Sequence, residues 1–338
     1  MANNNKVKRV TIKDIAKEAG VSAMAVSRVL SNKGGISRET SERILSIAKK
    51  MNYRPNTIAR SLRKQTTKTI GVIASDSSEL VFSQVLRGVQ DSASAEGYDV
   101  IIANTYQIPE NEKHVLNTMI DRRIDGLIFA APMRSSKEEM EELKHLGIPV
   151  VLLMRSGGLA GIDSVSSDNY NGGYEIVDYL LRTRDTDIRF LALSQSRSTG
   201  IQRIIGHQNA LLDHGRKWNE EHVIYCEPTI EDGYNAMVKL LKNGYKSGNV
   251  CCGCDLIAIG AIKAVQEAGI KIPEEIRISG YDDIELSDYL SVPLTTMRQP
   301  KYDIGYEGVR LLLERLQNPE MNARQIVLSN ELIIRKST

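Results

Sequence analysis

The length and composition of the chain exclude several classes of protein. Its 338 residues are 41% hydrophobic and 25% charged, which is typical of a globular protein large enough for more than one domain. It has no apolar run of the roughly 18 residues that cross a membrane and no apolar secretory signal, so we expect it in the cytoplasm.

Positive charge is concentrated at one end of the chain. Residues 1–68 contain 16 Lys and Arg against 4 Asp and Glu, a net charge of +12, whereas the remaining residues carry a net charge of −10. A basic segment on an acidic protein indicates a polyanionic partner for that segment, and nucleic acid is the partner that we favour. A solvated basic face is the alternative.

Three short helices are predicted within the basic segment. Thr11 and Asp14 form a capping-box pattern, and Ser22 and Ser37 are suited to cap the second and third helices. The residues expected to face inward, from their helical spacing, are Ile12, Ile15, Ala16, Ala19, Val26, Val29, Leu30, Ile44, Ile47, Ala48 and Met51. Two short helices joined by a tight turn at Gly20 and backed by a third make a helix-turn-helix.

The second helix has a face suited to the DNA major groove. Ala23 and Met24 can contact thymine methyl groups, and Arg28 can bind the O6 and N7 atoms of guanine. The other residues of the head predicted to contact DNA are Thr11, Ser22 and Ser27, the two serines as short donors to phosphates. The alternative, a small-residue helix packed on another helix, does not explain Arg28 or the surrounding charge.

A further short helix is predicted after Pro55. Asn56 can cap it, and Ala59 and Leu62 belong to its apolar face. Eight residues of helix are marginal alone in water, so we expect this segment to fold only on DNA. Asn56, Ala59 and Leu62 are therefore predicted DNA contacts, with Leu62 as an apolar wedge in the minor groove.

The rest of the chain alternates short apolar strands with helical stretches. The candidate strands are "TIGVIAS", "YDVIIANT", "DGLIFAA", "IPVVLLM", "RFLALS", "HVIYC", "NVCCGC" and "IRISGYD". This alternation predicts an α/β body of two lobes, each a doubly wound parallel sheet. The chain therefore divides into an all-α head, residues 1–54, a hinge, residues 55–67, and a body, residues 68–338.

Polar residues in the loops of the body are candidates for a ligand site, because ligands bind beyond the carboxyl ends of such strands. The candidates are Asp76, Ser77, Asn104, Arg155, Asp168, Arg203, Cys254, Asp255 and Asp282. Acidic and arginine side chains that face one cleft suit a polyol or another small polar ligand. For each residue alone the alternative is a surface charge or a helix cap, and Asp255 is the clearest candidate for a cap.

Motifs along essentially the whole chain carry a family resemblance. They are "TIKDIAKEAGVSAMAVSRVLSNKGGISRETSERI", "YRPNTIARSL", "DGLIF", "LIAIGAI", "ISGYDDIELSDYLSVPLTTMRQP" and "YDIG". In these stretches the chain resembles the lactose-repressor (LacI/GalR) family of transcription regulators. The resemblance implies a body of the periplasmic-binding-protein type that dimerises, and a Leu62 that enters the minor groove of the operator beside Ala59. It also implies effector-binding roles for Arg203, Asp282 and Asp168.

Four residues depart from the family pattern. Ala25 stands where the family usually has Thr, Met154 where it commonly has an acid, Pro228 where an aromatic ring is frequent, and Cys254 where sugar-binding members have Asn. The last three departures argue against a plain hexose pocket. "YDIG" and "RKST" are closest to the catabolite-control branch, which binds a phosphorylated carrier protein, so such a protein is a further candidate partner. The chain ends without a leucine-heptad tail, which favours a dimer over a tetramer.

Other functional classes fit the sequence less well. The stretch "CCGC" suggests buried strand thiols rather than a thiol sensor or a metal site, because no second pair of ligands is present. Enzyme motifs such as G-x-S-x-G, a P-loop or H-E-x-x-H are missing from the sequence. A solute carrier of the periplasmic type would not need the basic head. We therefore expect a sequence-specific repressor, without a cofactor, that binds double-stranded operator DNA as a homodimer and responds to a small polar, sugar-related effector.

Overall fold

The computed structural model describes residues 10–31, 33–53, 66–77, 79–106, 108–130, 137–155, 161–195 and 198–338, with only the backbone for 137–140. The chain divides into two compact units, Met1–Gln65 and Thr66–Thr338. Within the described residues, no helix combines the length and the apolar character needed to cross a membrane.

The first unit is a bundle of three helices. They are α1 (Ile12–Ala19), α2 (Ala23–Leu30) and α3 (Arg38–Lys50). Thr11, Ser22 and Ser37 each accept a hydrogen bond from the backbone N–H three residues later, as the capping patterns predicted. All the residues expected to face inward belong to one apolar core, whose fully buried centre is Ile15, Val26 and Ile44. The predicted helix-turn-helix head is therefore confirmed.

The second unit contains two lobes, each built on a six-stranded sheet. The first lobe has β1 (Thr69–Ala74), α4 (Leu80–Ala95), β2 (Asp99–Asn104), α5 (Pro109–Asp121), β3 (Gly126–Ala130), α6 (Lys137–Lys144), β4 (Val150–Leu153) and β5 (Asp163–Ser167). The second lobe has α7 (Asn169–Thr183), β6 (Ile188–Leu193), α8 (Ser198–Asp213), a 3₁₀ turn (Glu220–His222), β7 (Val223–Cys226), α9 (Ile230–Lys242), β8 (Gly248–Cys252), α10 (Asp255–Glu267), β9 (Ile276–Asp282), α11 (Leu286–Tyr289) and β10 (Thr295–Arg298). The chain then returns to the first lobe with α12 (Lys301–Gln317) and β11 (Gln325–Leu328), and ends in the second with β12 (Glu331–Ile333).

The order of the strands shows that both sheets are doubly wound. The first sheet runs β11-β5-β4-β3-β1-β2 and is parallel throughout, and the second runs β12-β10-β9-β8-β6-β7. Helices cover both faces of each sheet, which explains why the central strands are nearly continuous apolar runs. The predicted fold class is confirmed, with one difference: β12 pairs antiparallel with β10 through Thr296 and Ile333.

All eight candidate strands are present, but the structure has four more. The strand β5 has the sequence "DSVSS" and was not predicted because four of its residues are polar. All five of its residues are nevertheless buried. The others, β10, β11 and β12, are only three or four residues long and lie near the sheet edges. These four strands lie beside the three points at which the chain passes between lobes: β5 to α7, β10 to α12, and β11 to β12.

Three pairs of helices in the body pack through reciprocal glycines. These pairs are Gly88 and Gly305 between α4 and α12, Gly173 and Gly206 between α7 and α8, and Gly233 and Gly260 between α9 and α10. At each position a Cβ atom would lie between 2.0 and 2.5 Å from a backbone atom of the partner helix. The backbones therefore approach more closely than any other residue would permit.

We predict that Gly88→Ala lowers the free energy of unfolding by about 2 kcal/mol or more, because a Cβ at this position would lie 2.0 Å from the Tyr302 carbonyl oxygen. Alanine would otherwise be favoured in a helix by about 1 kcal/mol, so a loss identifies the clash. Urea unfolding followed by circular dichroism measures the change. Gln84→Ala, at an exposed position of the same helix, is the control and should stay within about 0.5 kcal/mol. Equal stability of the two variants would contradict the prediction.

Candidate functional site

The second helix of the head presents a small, exposed face. Ser22 caps α2, with its Oγ accepting from the Ala25 N–H at 3.2 Å. Ala23 and Met24 are exposed, Met24 to 73%, whereas Val26 faces the core and is fully buried. The helix therefore offers its N-terminal residues to a partner, in the manner that major-groove reading requires.

Arg28 makes a contact that the sequence did not indicate. Its Nε and Nη2 donate to the Gly34 carbonyl oxygen at 3.2 and 2.9 Å. Beside it Gly35 has φ +87°, and a Cβ there would lie 2.7 Å from Nη2. Two of the five guanidinium N–H groups thus donate to this carbonyl, and among the described residues no acceptor is given by the structure for the other three. The pair of glycines in "NKGG" is the sequence feature that could have indicated this close contact with Arg28.

Two other predicted DNA contacts are half-buried or engaged within the head. Ser27 is half-buried on α2. The Thr11 hydroxyl donates to Asp14 Oδ2 at 2.7 Å while its oxygen caps α1, so Thr11 fixes the helix end. The hinge predictions, Asn56, Ala59 and Leu62, lie outside the described residues.

In the body, Arg203 and Asp282 form a buried pair. Arg203 is 5% exposed, and its Nη2 lies 3.7 Å from Asp282 Oδ1. The Arg203 Nη1 donates to the Gly253 carbonyl at 2.6 Å, and the guanidinium stacks 3.5 Å from the centre of the Tyr281 ring. Asp282 ends β9 as expected, whereas Arg203 lies in the second turn of α8 rather than directly after a strand.

This pair and three buried polar side chains form a closed ring of contacts. Arg203 Nε donates to Asn169 Oδ1 at 2.9 Å, and Asn169 Nδ2 donates to Ser167 Oγ at 3.3 Å. Ser167 Oγ donates to Gln299 Oε1, and Gln299 Nε2 donates to Asp282 Oδ1, both at 2.6 Å. We call these five residues the junction ring. It joins the passage between β5 and α7 to the passage between β10 and α12.

The third passage between the lobes, from β11 to β12, is hydrogen-bonded to residues beside the junction ring. Asn330 Nδ2 donates at 2.8 Å to the Asp168 carbonyl oxygen and at 2.8 Å to the Tyr281 hydroxyl. Tyr281 in turn lies under the Arg203 guanidinium. All three passages of the chain between the lobes therefore meet around one buried arginine.

The electrostatics of the pair are set by burial. Burial raises the pKa of the Asp282 carboxyl, while the nearby Arg203 and Lys301 act in the opposite direction. The Lys301 Nζ donates to the carbonyl oxygens of Asp282 and Asp283. Asp282 has φ +113° and Asp283 has φ +49°, which are rare values for residues other than glycine. The structure thus holds a strained turn where the candidate site needs a carboxylate.

Asp255 supports the segment that follows this turn. Asp255 is fully buried, and its carboxylate accepts from the Ile284 N–H at 2.8 Å, Ser287 Oγ at 2.7 Å and Thr296 Oγ1 at 2.5 Å. Burial and the neighbouring Asp282 raise its pKa. Asp255 is the first residue of α10, after Cys254 at the N-cap position. Asp255 is therefore engaged with the segment that follows β9.

The remaining candidates form two groups in the first lobe. The Ser77 N–H donates to Asn104 Oδ1 at 3.1 Å, which places Asp76, Ser77 and Asn104 together after β1 and β2. Arg155 and Asp168 line a cavity of about 150 Å³ beside β5. Both Asp168 oxygens accept from Asn171, from its N–H at 3.0 Å and its Nδ2 at 2.5 Å.

Sequence reasoning missed Ser167, Asn169, Gln299, Lys301 and Asn330. These polar residues occur in "SSDN", "RQPK" and "LSNE", the stretches that pass between lobes. The sequence feature that could have identified them is the position of polar residues beside short strands, but those strands were not predicted.

The thiols of "CCGC" are buried, as expected. Burial raises the pKa of Cys251 and of Cys226 to about 12 and raises those of Cys252 and Cys254 further. Raised pKa values make these thiols poor nucleophiles at neutral pH. Among the described residues, no group of three or more His, Cys, Asp or Glu side chains is arranged to hold a metal ion.

We predict that His207 makes the body sensitive to acid. It lies one turn after Arg203, 3% exposed and stacked on Phe190 at 5.0 Å. Burial, with a smaller effect of Arg203, lowers its pKa from 6.5 to about 3. The unfolded chain therefore binds this proton first as the pH falls. The contribution of neutral His207 to the free energy of unfolding is complete above pH 6.5 and is lost as the pH falls toward 3. At pH 5 the free energy of unfolding is lower by about 2 kcal/mol.

Urea unfolding at pH 7 and pH 5 measures this effect. His207→Gln should remove about 2 kcal/mol of the difference between the two pH values, and His114→Gln, at an exposed position of α5, should leave it unchanged. The same pH dependence in both variants would contradict the assignment.

Comparison with known proteins identifies the family. Residues 67–336 match the family described as periplasmic binding proteins and sugar binding domain of LacI family, and residues 11–56 match bacterial regulatory proteins, lacI family. The HTH-type transcriptional repressor PurR of Haemophilus influenzae (strain PittEE) is 33% identical over 330 residues, which cover 97% of this chain and 98% of the relative. Catabolite control protein A of Priestia megaterium is 31% identical over 330 residues, 97% of this chain and 99% of the relative.

A solved structure agrees with this assignment over the whole fold. The lac repressor dimer bound to operator and the anti-inducer ONPF superposes with a TM-score of 0.90 at 25% identity, over 98% of this chain and 99% of that one. The two matched families together span both the head and the body. The chain therefore belongs to the LacI family of bacterial regulatory proteins and is a DNA-binding transcriptional regulator.

Proposed function

We propose that this regulator is a repressor whose body binds a small polar effector between its lobes and thereby controls the affinity of the head for operator DNA. The observation that carries the proposal is the junction ring. Two of the residues predicted to hold the effector, Arg203 and Asp282, belong to the network that joins the lobes. A ligand that contacts them acts on the relative position of the lobes.

The head supports the DNA-binding part of the proposal. Its exposed Ala23 and Met24, together with the exposed Arg28, suit base edges in the major groove. The lac repressor, which shares the fold, is described as bound to operator. The net charge of +12 on residues 1–68 favours phosphate contacts and predicts salt-dependent binding. A DNA-bound regulator acts in the cytoplasm.

The body supports an effector with several hydrogen-bonding groups. Arg203 offers a planar donor, Asp282 an acceptor, and the group of Asp76, Ser77 and Asn104 further polar contacts from the first lobe. Such a mixture suits a sugar-related molecule. Asp255 contributes indirectly, because its carboxylate positions the turn that carries Asp282.

Coupling follows from differential binding. A ligand shifts an equilibrium between two lobe arrangements only as far as it binds one of them more tightly. An effector that replaces a junction-ring contact with one of its own changes the balance between these arrangements. A homodimer converts this change into an altered spacing of the two heads, which must reach half-sites about one helical turn, roughly 34–36 Å, apart.

We predict that selection from random duplex DNA yields a pseudo-palindromic site, and that Arg28→Ala loses preference at one base pair in each half-site. The loss should be about 1–3 kcal/mol, because a bidentate contact to guanine is removed. Arg38→Ala, which removes an exposed arginine paired with Glu42 on α3, is the matched control and should keep the preference. Equal weakening by Arg28→Ala on all sequences would show that Arg28 contacts phosphate only.

We also predict opposite effects for Leu62→Gly and Arg203→Ala. Leu62→Gly should weaken operator binding strongly and leave effector affinity of the free protein near normal, because the wedge in the minor groove is lost. Arg203→Ala should leave operator binding in place but abolish the response to the effector, because the bidentate donor is lost. Operator affinity with and without effector is measured for each variant.

Arg216→Ala is the control for Arg203→Ala. Arg216 lies in the same lobe and also donates to a backbone carbonyl, that of Thr186 at 2.8 Å, but this contact precedes β6, at the other end of the sheet. The Arg216→Ala variant should respond to effector as the unmodified protein does. A full response in Arg203→Ala, or intact operator binding in Leu62→Gly, would refute the corresponding assignment.

A further inference from the structure

A polar cavity of about 150 Å³ lies beside the junction ring and is walled by both lobes. The first lobe contributes Arg155 after β4, Ser164 and Ser166 of β5, and Gln325 of β11. The second contributes Tyr170 of α7 and Gln202 of α8. At roughly 30 Å³ for each water molecule, the volume equals about five water molecules. It is therefore large enough for one small polar group.

The serine hydroxyls face the cavity because of strand alternation. Between them, Val165 is fully buried in the apolar core formed with α12. Successive side chains of a strand point to opposite faces, so Ser164 and Ser166 are directed away from that core, and both line the cavity. The cavity therefore accounts for two of the four polar residues in this buried strand.

The walls are rich in hydrogen-bond donors. They include the Arg155 guanidinium, the Ser164 and Ser166 hydroxyls, and the amides of Gln202 and Gln325. Among the described residues that line the cavity, the one carboxylate is Asp168, and both of its oxygens already accept from Asn171.

One feature of the position favours a negatively charged occupant, and another connects the cavity to the junction ring. Tyr170 lies in the first turn of α7, where the helix dipole favours negative charge, and the Asp168 carboxylate caps this same turn. Ser167 and Asn169 belong both to the cavity wall and to the junction ring. A group bound in the cavity therefore lies directly against the network that joins the lobes.

We propose that this cavity is an oxyanion subsite, and that the effector carries a phosphoryl or carboxylate group that binds there against Arg155 and the two serines. The inference rests on the proposed function, which it extends by naming a charged class of effector. Val327 and Gln325, two residues of the cavity wall, are exposed to solvent. Guanidinium and hydroxyl donors in a partly buried site bind oxyanions through charge-assisted hydrogen bonds.

The test uses the full-length protein without DNA and the simplest probes, inorganic phosphate and acetate. Thermal unfolding is followed by circular dichroism at increasing probe concentration, with chloride added to keep the ionic strength constant. A ligand that binds only the folded state raises the melting temperature with concentration. We expect at least one of the two probes to raise it above the value in chloride alone.

Two variants with matched controls locate the binding. Arg155→Gln removes the cation, and Gln325→Glu places a negative charge on the cavity wall at an exposed position that should not disturb folding. Both should lose the rise. Arg182→Gln, on the exposed side of α7, and Gln317→Glu, at the exposed end of α12, make the same changes in charge elsewhere and should retain it.

The outcomes separate this inference from the proposed function. No rise with either probe, or a rise of equal size in all four variants, overturns the subsite; if Arg155→Gln fails to fold, Gln325→Glu decides. Operator selection with the unmodified protein tests the proposed function independently. Specific DNA binding without anion binding would leave the repressor in place and exclude the charged effector.

Discussion

Burial of the Arg203 guanidinium is the constraint on which the arrangement of the two lobes depends. A charged group can be buried only where other groups satisfy its hydrogen bonds and an opposite charge lies close to it. The partners of Arg203 are the Gly253 carbonyl, Asp282 and Asn169, all of the second lobe, and Asn169 is itself bonded to Ser167 of the first lobe. Because these groups must stay in place around one side chain, the passages between the lobes are fixed together.

The strained turn after β9 depends on the same arrangement. Left-handed backbone at Asp282 and Asp283 is unfavourable on its own and persists where surrounding contacts determine it. Lys301 holds the carbonyl side of this turn, and Asp255 holds the segment that follows it. A buried lysine from α12 and a buried carboxylate from α10 thus maintain the conformation that directs Asp282 toward Arg203.

Much of the fold followed from the sequence, for physical reasons that differ between the two units. In the head, capping residues and helical spacing were sufficient, because each short helix has one apolar face and one solvent face. In the body, the eight apolar strands were recognised because central parallel strands are buried on both faces. The polar strand β5 could not be recognised, since Ser164 and Ser166 face a cavity that no local pattern reveals.

The candidate site was less accessible from the sequence than the fold. Arg203 and Asp282 were proposed because of a family resemblance and a position near strand ends, and the structure brings them together. Ser167, Gln299 and Asn330 were not proposed, because their roles depend on three passages that meet only in the folded protein. Long-range partners of this kind have no signature in the residues next to them.

The reciprocal glycines determine what kind of movement the body can make. Packed helices usually accommodate a change of shape by sliding past each other over small distances, which is called shear. At Gly88 and Gly305 the two backbones interlock so closely that sliding would drive one main chain into the other. Each lobe with its interlocked helices should therefore move as a single rigid object. Any displacement between the lobes is then a hinge rotation, concentrated in the few residues that connect them.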